Sequence, residues 1–412
     1  MFYTHKSLAM DIEDHPLASK FPKATEEASV HTGPETFRPF SAREGAPETI
    51  EEFIRSDLPQ LSLHITSFND ATLVGLSWPH TLMDAMGQKA LLHSWSLVLA
   101  GREADVPPLL GARTDVLYEA TDAPEAPKEE HCMANRRLRG LGMLMFVLRF
   151  LWDILWNRVE QRIICLPKSA VTKLREEAQS DLVVDKNIDS KESFVSEGDV
   201  LTAWGARAIA SSLGQRRPVT VLQTFNARYR LPALIRAKGV YIQNMVFPAF
   251  VPLSPEAAVG PLGPIALANR RQLMEQTTES QILASFRSSR DIAQSGGDLA
   301  VVCGESNALL VPVTNWSRAD FFNTADFSPA LIHPDYTEPS RRNPPGTIVY
   351  HHAQSMRTGP TVRNVIVIFG KDHDDNYWLT GSLYPRTWTK IEEEIGRMTG
   401  KHAAAENLKG TF

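Results

Sequence analysis

Cysteine is scarce: the 412 residues hold three, Cys132, Cys165 and Cys303. They are odd in number, far apart and in no Cys-x-x-Cys arrangement. That argues against a disulfide framework and a thiolate zinc site, and for a reducing, cytoplasmic setting. Charge of one sign is equally short. A net charge of -5 without long runs leaves no electrostatic footprint for nucleic acid. The residues up to Ser29 carry charge throughout and have no continuous apolar run, so no secretory signal is expected, and Asn315-Trp316-Ser317 reads as an idle sequon. A Walker loop, a Gly-x-Gly-x-x-Gly behind a strand, His-Glu-x-x-His and Gly-x-Ser-x-Gly are all missing. ATP, nicotinamide, zinc-protease and serine-hydrolase chemistries thereby lose their usual carriers. His351-His352 has no carboxylate or cysteine at ligand spacing, so no metal is expected.

What is present begins with length, enough for two domains with ample core. The strongest local pattern lies between Leu61 and Gly101. Leu61, Leu63 and Ile65 alternate with polar residues, Asn69-Asp70 supplies a turn, and Thr72 to Trp78 is a second β-rich run; together they predict a hairpin. Pro79 ends it. From Met83 the period becomes helical, with Met83, Met86, Ala90, Leu91, Ser94, Leu97 and Val98 on one face. His80 therefore falls at a strand-to-helix junction, where the positive end of the helix disfavours a charged imidazole and a neutral one can act as a base. Asp84, about one turn on, can brace the junction, and Gly87 permits close approach of another backbone. On spacing alone, His-x-x-x-Asp equally describes a satisfied histidine at a turn.

Other blocks share that context. HTLMDAMG (80–87), VSEGDVLTAWGARAIA (195–210), NARYRL (226–231), GVYIQNMVF (239–247) and VTNWSRADFFNTADFS (313–328) occur in this order. Together they resemble the coenzyme A-dependent acyltransferases called BAHD, in particular their fungal, trichothecene 3-O-acetyltransferase-like branch. The resemblance implies an α/β fold of two chloramphenicol acetyltransferase-like halves with a channel between them. It implies an enzyme that moves an acyl group, acetyl by expectation, from coenzyme A to a hydroxyl of a hydrophobic secondary metabolite. His80 would be the general base, and Thr314 and Trp316 the oxyanion donors facing the channel. One of Arg228 and Arg230 would pair with Asp84, making Asp84 an orienting residue, and Asp326 would give structural support. Acyl-CoA is then a cosubstrate, no cofactor stays bound, the partners are small molecules, and a monomer is expected.

The departures are a glycine two residues later than usual after Asp84, Asn315 in place of Ser, and Asp326-Phe327-Ser328-Pro329-Ala330 in place of Asp-Phe-Gly-Trp-Gly. His80 also comes early, so the N-terminal half reads as shortened, either lacking its first part or replaced by a compact variant. Two rival functions stay open. One is a relative using His80 without coenzyme A, in an isomerisation or cyclisation; the other is a non-catalytic ligand-binding relative.

The expected organisation is an N-terminal half (1–105), a crossover (106–160) and a C-terminal half (161–412). Residues 16–57 read as loops, and Glu119 to His131 as a linker. Gly140 to Trp156 is apolar nearly all round, broken by Arg149 and Asp153 at a spacing that lets them pair. It falls short of the ~20 residues of a membrane span. With Arg136, Arg137 and Arg139 before it and tryptophans at its end, it suits peripheral contact with a membrane such as the endoplasmic reticulum; a buried helix is the alternative. Further on, strands are expected over Arg162–Leu166, Val219–Asn226, Gly239–Phe250 and Leu309–Trp316, with Thr347–Tyr350 and Arg363–Gly370 forming a hairpin. Helices are expected over Ser169–Ala178, Glu197–Ser212 capped by Ser196, Ile265–Ser280, Gln281–Ala293 and Thr387–Met398. Asp181–Lys191 and Pro334–Pro345 read as loops.

Overall fold

Two strands precede residue 60, β1 (Phe2–Ser7) and β2 (Ser29–Thr32), and they join different sheets. β1 lies parallel to β3 (Ser62–Ser67), which turns through Asn69-Asp70 into the antiparallel β4 (Thr72–Ser77). The predicted hairpin is thus present, with a third strand beside it. β2 edges a seven-stranded sheet whose other members are β5 (Glu160–Leu166), β6 (Val219–Asn226), β7 (Val246–Leu253), β8 (Leu309–Asn315), β9 (Val365–Lys371) and β10 (Tyr377–Leu383). Their order is β2-β5-β10-β9-β8-β6-β7. β2 corrects the all-loop reading of 16–57: four residues with one central valine carry too little alternation to be seen. The computed structural model describes residues 1–184, 194–296, 301–332 and 343–398. Of the loop expected over Asp181–Lys191, residues 181–184 instead prolong the helix Lys168–Val184, and the remainder, like 334–342 and the C-terminal stretch after Thr399, lies outside the described residues.

Strand alternation sorts the large sheet into two faces. On one, Val219, Val221, Val311, Val313, Ile366 and Ile368 pack under the helices Lys168–Val184, Glu197–Ser211, Leu262–Gln276 and Pro385–Met398, with Trp204 and Trp388 fully buried between. On the other, Ile163, Cys165, Phe369 and Trp378 form a second cluster that half-buried Trp316 and Val367 join. Thr314, one residue past Val313, shares this second face. Ser196 caps its helix as predicted, accepting from the Asp199 amide at 3.3 Å while Asp199 accepts the Ser196 amide at 2.9 Å, a reciprocal pair that satisfies two orphan donors.

Several boundaries differ from expectation for local reasons. The helix after His80 starts at Ala85 rather than Met83, because Asp84 is its N-cap. Thr347 makes only an isolated bridge to Asp326, and β9 pairs instead with β10. Asp372 builds the turn between them, accepting from the Asp374 and Asn376 amides and from Trp378 Nε1. The start of the expected linker is helical, because Glu119 to Asp122 end the helix Val116–Asp122: Asp115 caps it and Leu117 is buried beside Ile282 and Leu283.

Candidate active site

β4 ends at Ser77, and the chain makes a tight turn in which the Leu82 amide donates to the Pro79 carbonyl at 2.8 Å. Trp78 Nε1 reaches across it to the Met83 carbonyl at 3.1 Å. His80 is exposed at the crown of this turn. Its carbonyl accepts from Asn244 Nδ2 at 2.6 Å, whereas its imidazole bonds to nothing among the described residues. The residue's main chain is fixed and its ring is free.

Asp84 is the opposite case. It is buried, and both carboxylate oxygens are committed. Oδ1 accepts from the Met86 and Gly87 amides at 3.0 and 2.9 Å, capping the helix Ala85–Leu99 where its dipole favours a negative charge. Oδ2 accepts from Arg228 Nη1 at 2.7 Å, the Met245 amide at 3.0 Å and Asn226 Nδ2 at 3.3 Å. Five donors thus share the two oxygens, and the carboxylate ties the turn to the segment around Arg228 and Met245.

Of the two arginines, Arg228 is the partner. The pair is single, not the two-pronged contact its geometry allows, because the rest of the guanidinium is spent on carbonyls: Nε and Nη2 donate to Tyr241 at 3.1 and 2.9 Å, and Nη2 also to Gln243. These bonds explain why the expected strand over Gly239–Phe250 begins only at Val246. The carbonyls of Tyr241 and Gln243 and the amide of Met245 serve side chains instead of a ladder. Gly87 meets this segment directly, since a Cβ there would lie 2.1 Å from the Ile242 carbonyl oxygen. Arg230, expected as a support, is exposed; its amide donates to the Ala227 carbonyl at 2.9 Å, but its guanidinium makes no hydrogen bond or ion pair among the described residues. Partial desolvation and the like charges of Arg318 and Arg270 lower its pKa.

Thr314 and Trp316 face the same way, as period two requires, and are bonded to each other: Trp316 Nε1 donates to Thr314 Oγ1 at 3.0 Å. The indole N–H is occupied, while the Thr314 hydroxyl hydrogen has no acceptor among the described residues and remains able to donate. The Trp316 ring packs edge-on against Phe321 and Phe369, and in one cluster with Met86, Tyr229 and Phe327. That cluster joins the end of β8 to the helix behind His80. Asp326 belongs to the same junction, its amide donating to Ser96 Oγ on that helix at 2.8 Å and its Oδ1 accepting from the Ser328 amide. Pro329 fits the Ser328–Ala330 turn, and Gly346 supplies a close approach, a Cβ there lying 2.2 Å from the Ser328 nitrogen.

Burial pushes the Cys165 and Cys303 thiols up to about 11, so neither is a thiolate nucleophile at neutral pH. Two shallow hollows, one lined in part by Trp78 and Met356 and one by Phe150 and Asn364, take in neither His80 nor Thr314. Asn226 and Asn244 were legible only as letters of the resembling blocks, and nothing in local pattern separates them from surface amides.

Residues 47–329 match the family described as the transferase family. The O-acetyltransferase PaAT-2 of Phomopsis amygdali is 34% identical across 96% of this chain and 82% of its own length. The chain belongs to this transferase family. A second relative, the acetyltransferase pyiB of Pyricularia grisea, is 33% identical to this transferase over 97% of it and 79% of the relative. Among solved structures, F. graminearum TRI101 complexed with coenzyme A and T-2 mycotoxin superposes with a TM-score of 0.60 at 15% identity, covering 95% of this transferase and 79% of that chain. Vinorine synthase gives 0.55 at 13%, over 94% and 74%. The mixed α/β fold implied by the resembling blocks is therefore the fold of this transferase.

Proposed function

We propose that this transferase moves an acetyl group from acetyl-coenzyme A to a hydroxyl of a hydrophobic secondary metabolite, with His80 as general base. Acyl transfer itself is what its 34% and 33% identical relatives are named for, and a chain of the same fold was crystallised with coenzyme A and a small acceptor. The observation that carries the proposal is the contrast at His80: an unbonded, exposed imidazole on a main chain pinned by Asn244 and, four residues on, by Asp84 and Arg228. A satisfied structural histidine has ring partners; a base needs a free nitrogen in a fixed place.

In the proposed reaction, His80 takes the acceptor's hydroxyl proton as its oxygen attacks the thioester carbonyl. The negative oxygen of the tetrahedral intermediate accepts from the Thr314 hydroxyl, which Trp316 holds in orientation. Collapse breaks the carbon–sulfur bond, and the leaving thiolate takes the proton back from His80. Three free cysteines support a reducing, cytoplasmic site of action, and a monomer suffices for this chemistry.

The test is incubation with isotopically labelled acetyl-coenzyme A and a panel of hydroxylated terpenoids and polyketides, read by mass spectrometry. An acceptor that gains the label with release of free coenzyme A supports the proposal. A well-folded chain that isomerises or cyclises an acceptor without coenzyme A contradicts it.

A further inference from the structure

The helix Gly140–Trp156 is inverted relative to an ordinary surface helix, which turns its apolar stripe inward. No residue in it is buried. Leu141, Leu144, Leu148, Leu151, Trp152 and Leu155 recur at helical spacing and face solvent, with Leu141, Trp152 and Leu155 at 74%, 62% and 76% exposure. Its two charged residues are turned toward the protein. Arg149 Nη1 donates to the Ser306 carbonyl at 3.2 Å, and Asp153 Oδ2 lies 3.4 Å from Arg217 Nη1. The pairing of Arg149 with Asp153 that their spacing suggested is replaced by these two separate anchors. Arg363 adds a third, donating to the Asp153 carbonyl at 2.6 Å. The buried-helix alternative is thereby set aside: Arg149 and Asp153 anchor a half-buried underside that also carries Phe146 and Phe150, and a second apolar face is left outward.

The charges around that face say what covers it. Arg136 and Arg139 before the helix and Arg158 after it are exposed, and among the described residues none of the three forms an ion pair. Trp152 and Trp156, ring centroids 5.5 Å apart, sit exposed at the C-terminal end. A second copy packed on this face would set basic ends against basic ends in either orientation. An anionic lipid surface meets the arginines with phosphates, the leucines with acyl chains and the indoles with the headgroup region. Crossing is not an option, since no helix among the described residues is long and apolar enough.

We propose that this helix lies in the plane of an anionic phospholipid surface, its leucine face in the headgroup–acyl boundary and Arg136, Arg139 and Arg158 on lipid phosphates. The test is flotation of the full chain with phosphatidylcholine vesicles containing about 30% phosphatidylserine, beside pure phosphatidylcholine vesicles. Two variants accompany it, Leu148→Glu with Trp152→Glu, and Arg136→Glu with Arg139→Glu, each checked for fold by circular dichroism and for mass by light scattering. The expected result is flotation with the anionic vesicles, weakened by about tenfold or more in the first variant, and loss of the preference for phosphatidylserine in the second. Three results would overturn the proposal: no flotation of the wild type, flotation indifferent to Leu148→Glu with Trp152→Glu, or a wild-type dimer that this variant dissolves without any vesicle binding.

Discussion

Asp84 and Arg228 stand 144 positions apart in the chain and meet at 2.7 Å, with 3% and 12% of their side chains exposed. One carboxylate thereby caps the helix behind His80, holds the Met245 amide at the start of β7 and neutralises a guanidinium that ties down the 241–243 carbonyls. Asp84→Ala removes all of this at once. Leaving the buried arginine uncompensated costs roughly 3–5 kcal/mol, and the lost cap about 1 kcal/mol more. Urea unfolding should show a loss of that order, together with loss of turnover. An Asp84→Ala protein of unchanged stability would contradict the role given to the pair.

Thr314→Val should lower kcat by about a hundredfold while leaving KM for acetyl-coenzyme A nearly unchanged, since the hydroxyl is assigned to a charge that exists only along the reaction path. Trp316→Phe should have a smaller effect, because it removes only the bond that orients the hydroxyl. Combined, the two should be non-additive, as expected for groups acting through each other. Steady-state kinetics on the four proteins of the cycle decide this, and strict additivity would separate their roles.

Gly87→Ala probes the close approach of the two segments. Its methyl would fall 2.1 Å from the Ile242 carbonyl oxygen and 2.8 Å from Met83 Cβ, and backbone must move to admit it. The expected outcome is a destabilisation of about 1–3 kcal/mol, despite alanine's better helix propensity. A more stable variant would show that the 239–245 segment is not packed as described.

Two largely enclosed, half-buried histidines make stability depend on acid. Burial lowers the His351 pKa from 6.5 to about 3, with His352 adding to the effect, and lowers that of His352 to about 4. Both are neutral when folded, but the unfolded chain protonates them below about pH 6.5, so there the unfolded state binds more protons. Their contribution is fully present above pH 6.5 and is lost as pH falls toward 4 and then 3. By pH 5 each should account for about 2 kcal/mol of lost stability. Urea midpoints between pH 7.5 and pH 5 should fall for the wild type, and fall less for His351→Phe, a ring that can keep the stack on Phe321. An equal fall in both would contradict this.

How much of this could be read from the letters varies with the range of the cause. β3, β4, β6 and the capping of the Glu197–Ser211 helix follow from period-two or capping patterns a few residues long, and they fall where the sequence predicts. The pairing of Asp84 with one of two distant arginines was legible through the resemblance, but not which of them, because Arg228 and Arg230 differ only in which way a short turn carries them. The shortened strand after Gly239 was not legible at all: its cause is a guanidinium arriving from residue 228 and a carboxylate from residue 84. The same holds for Thr347, where a strand-like run meets only Asp326, and for Arg149 and Asp153, whose anchors lie at residues 306 and 217.

The central claim is that His80 removes the acceptor's proton in transfer from coenzyme A. It is tested most directly by measuring, on the wild type and on His80→Ala, both acetyl-coenzyme A binding by calorimetry and acceptor-dependent release of free coenzyme A. The account predicts similar binding and fold for the two proteins and a loss of turnover of about a thousandfold or more in the variant. Turnover retained in His80→Ala, or no binding of acetyl-coenzyme A by a well-folded wild type, would contradict it.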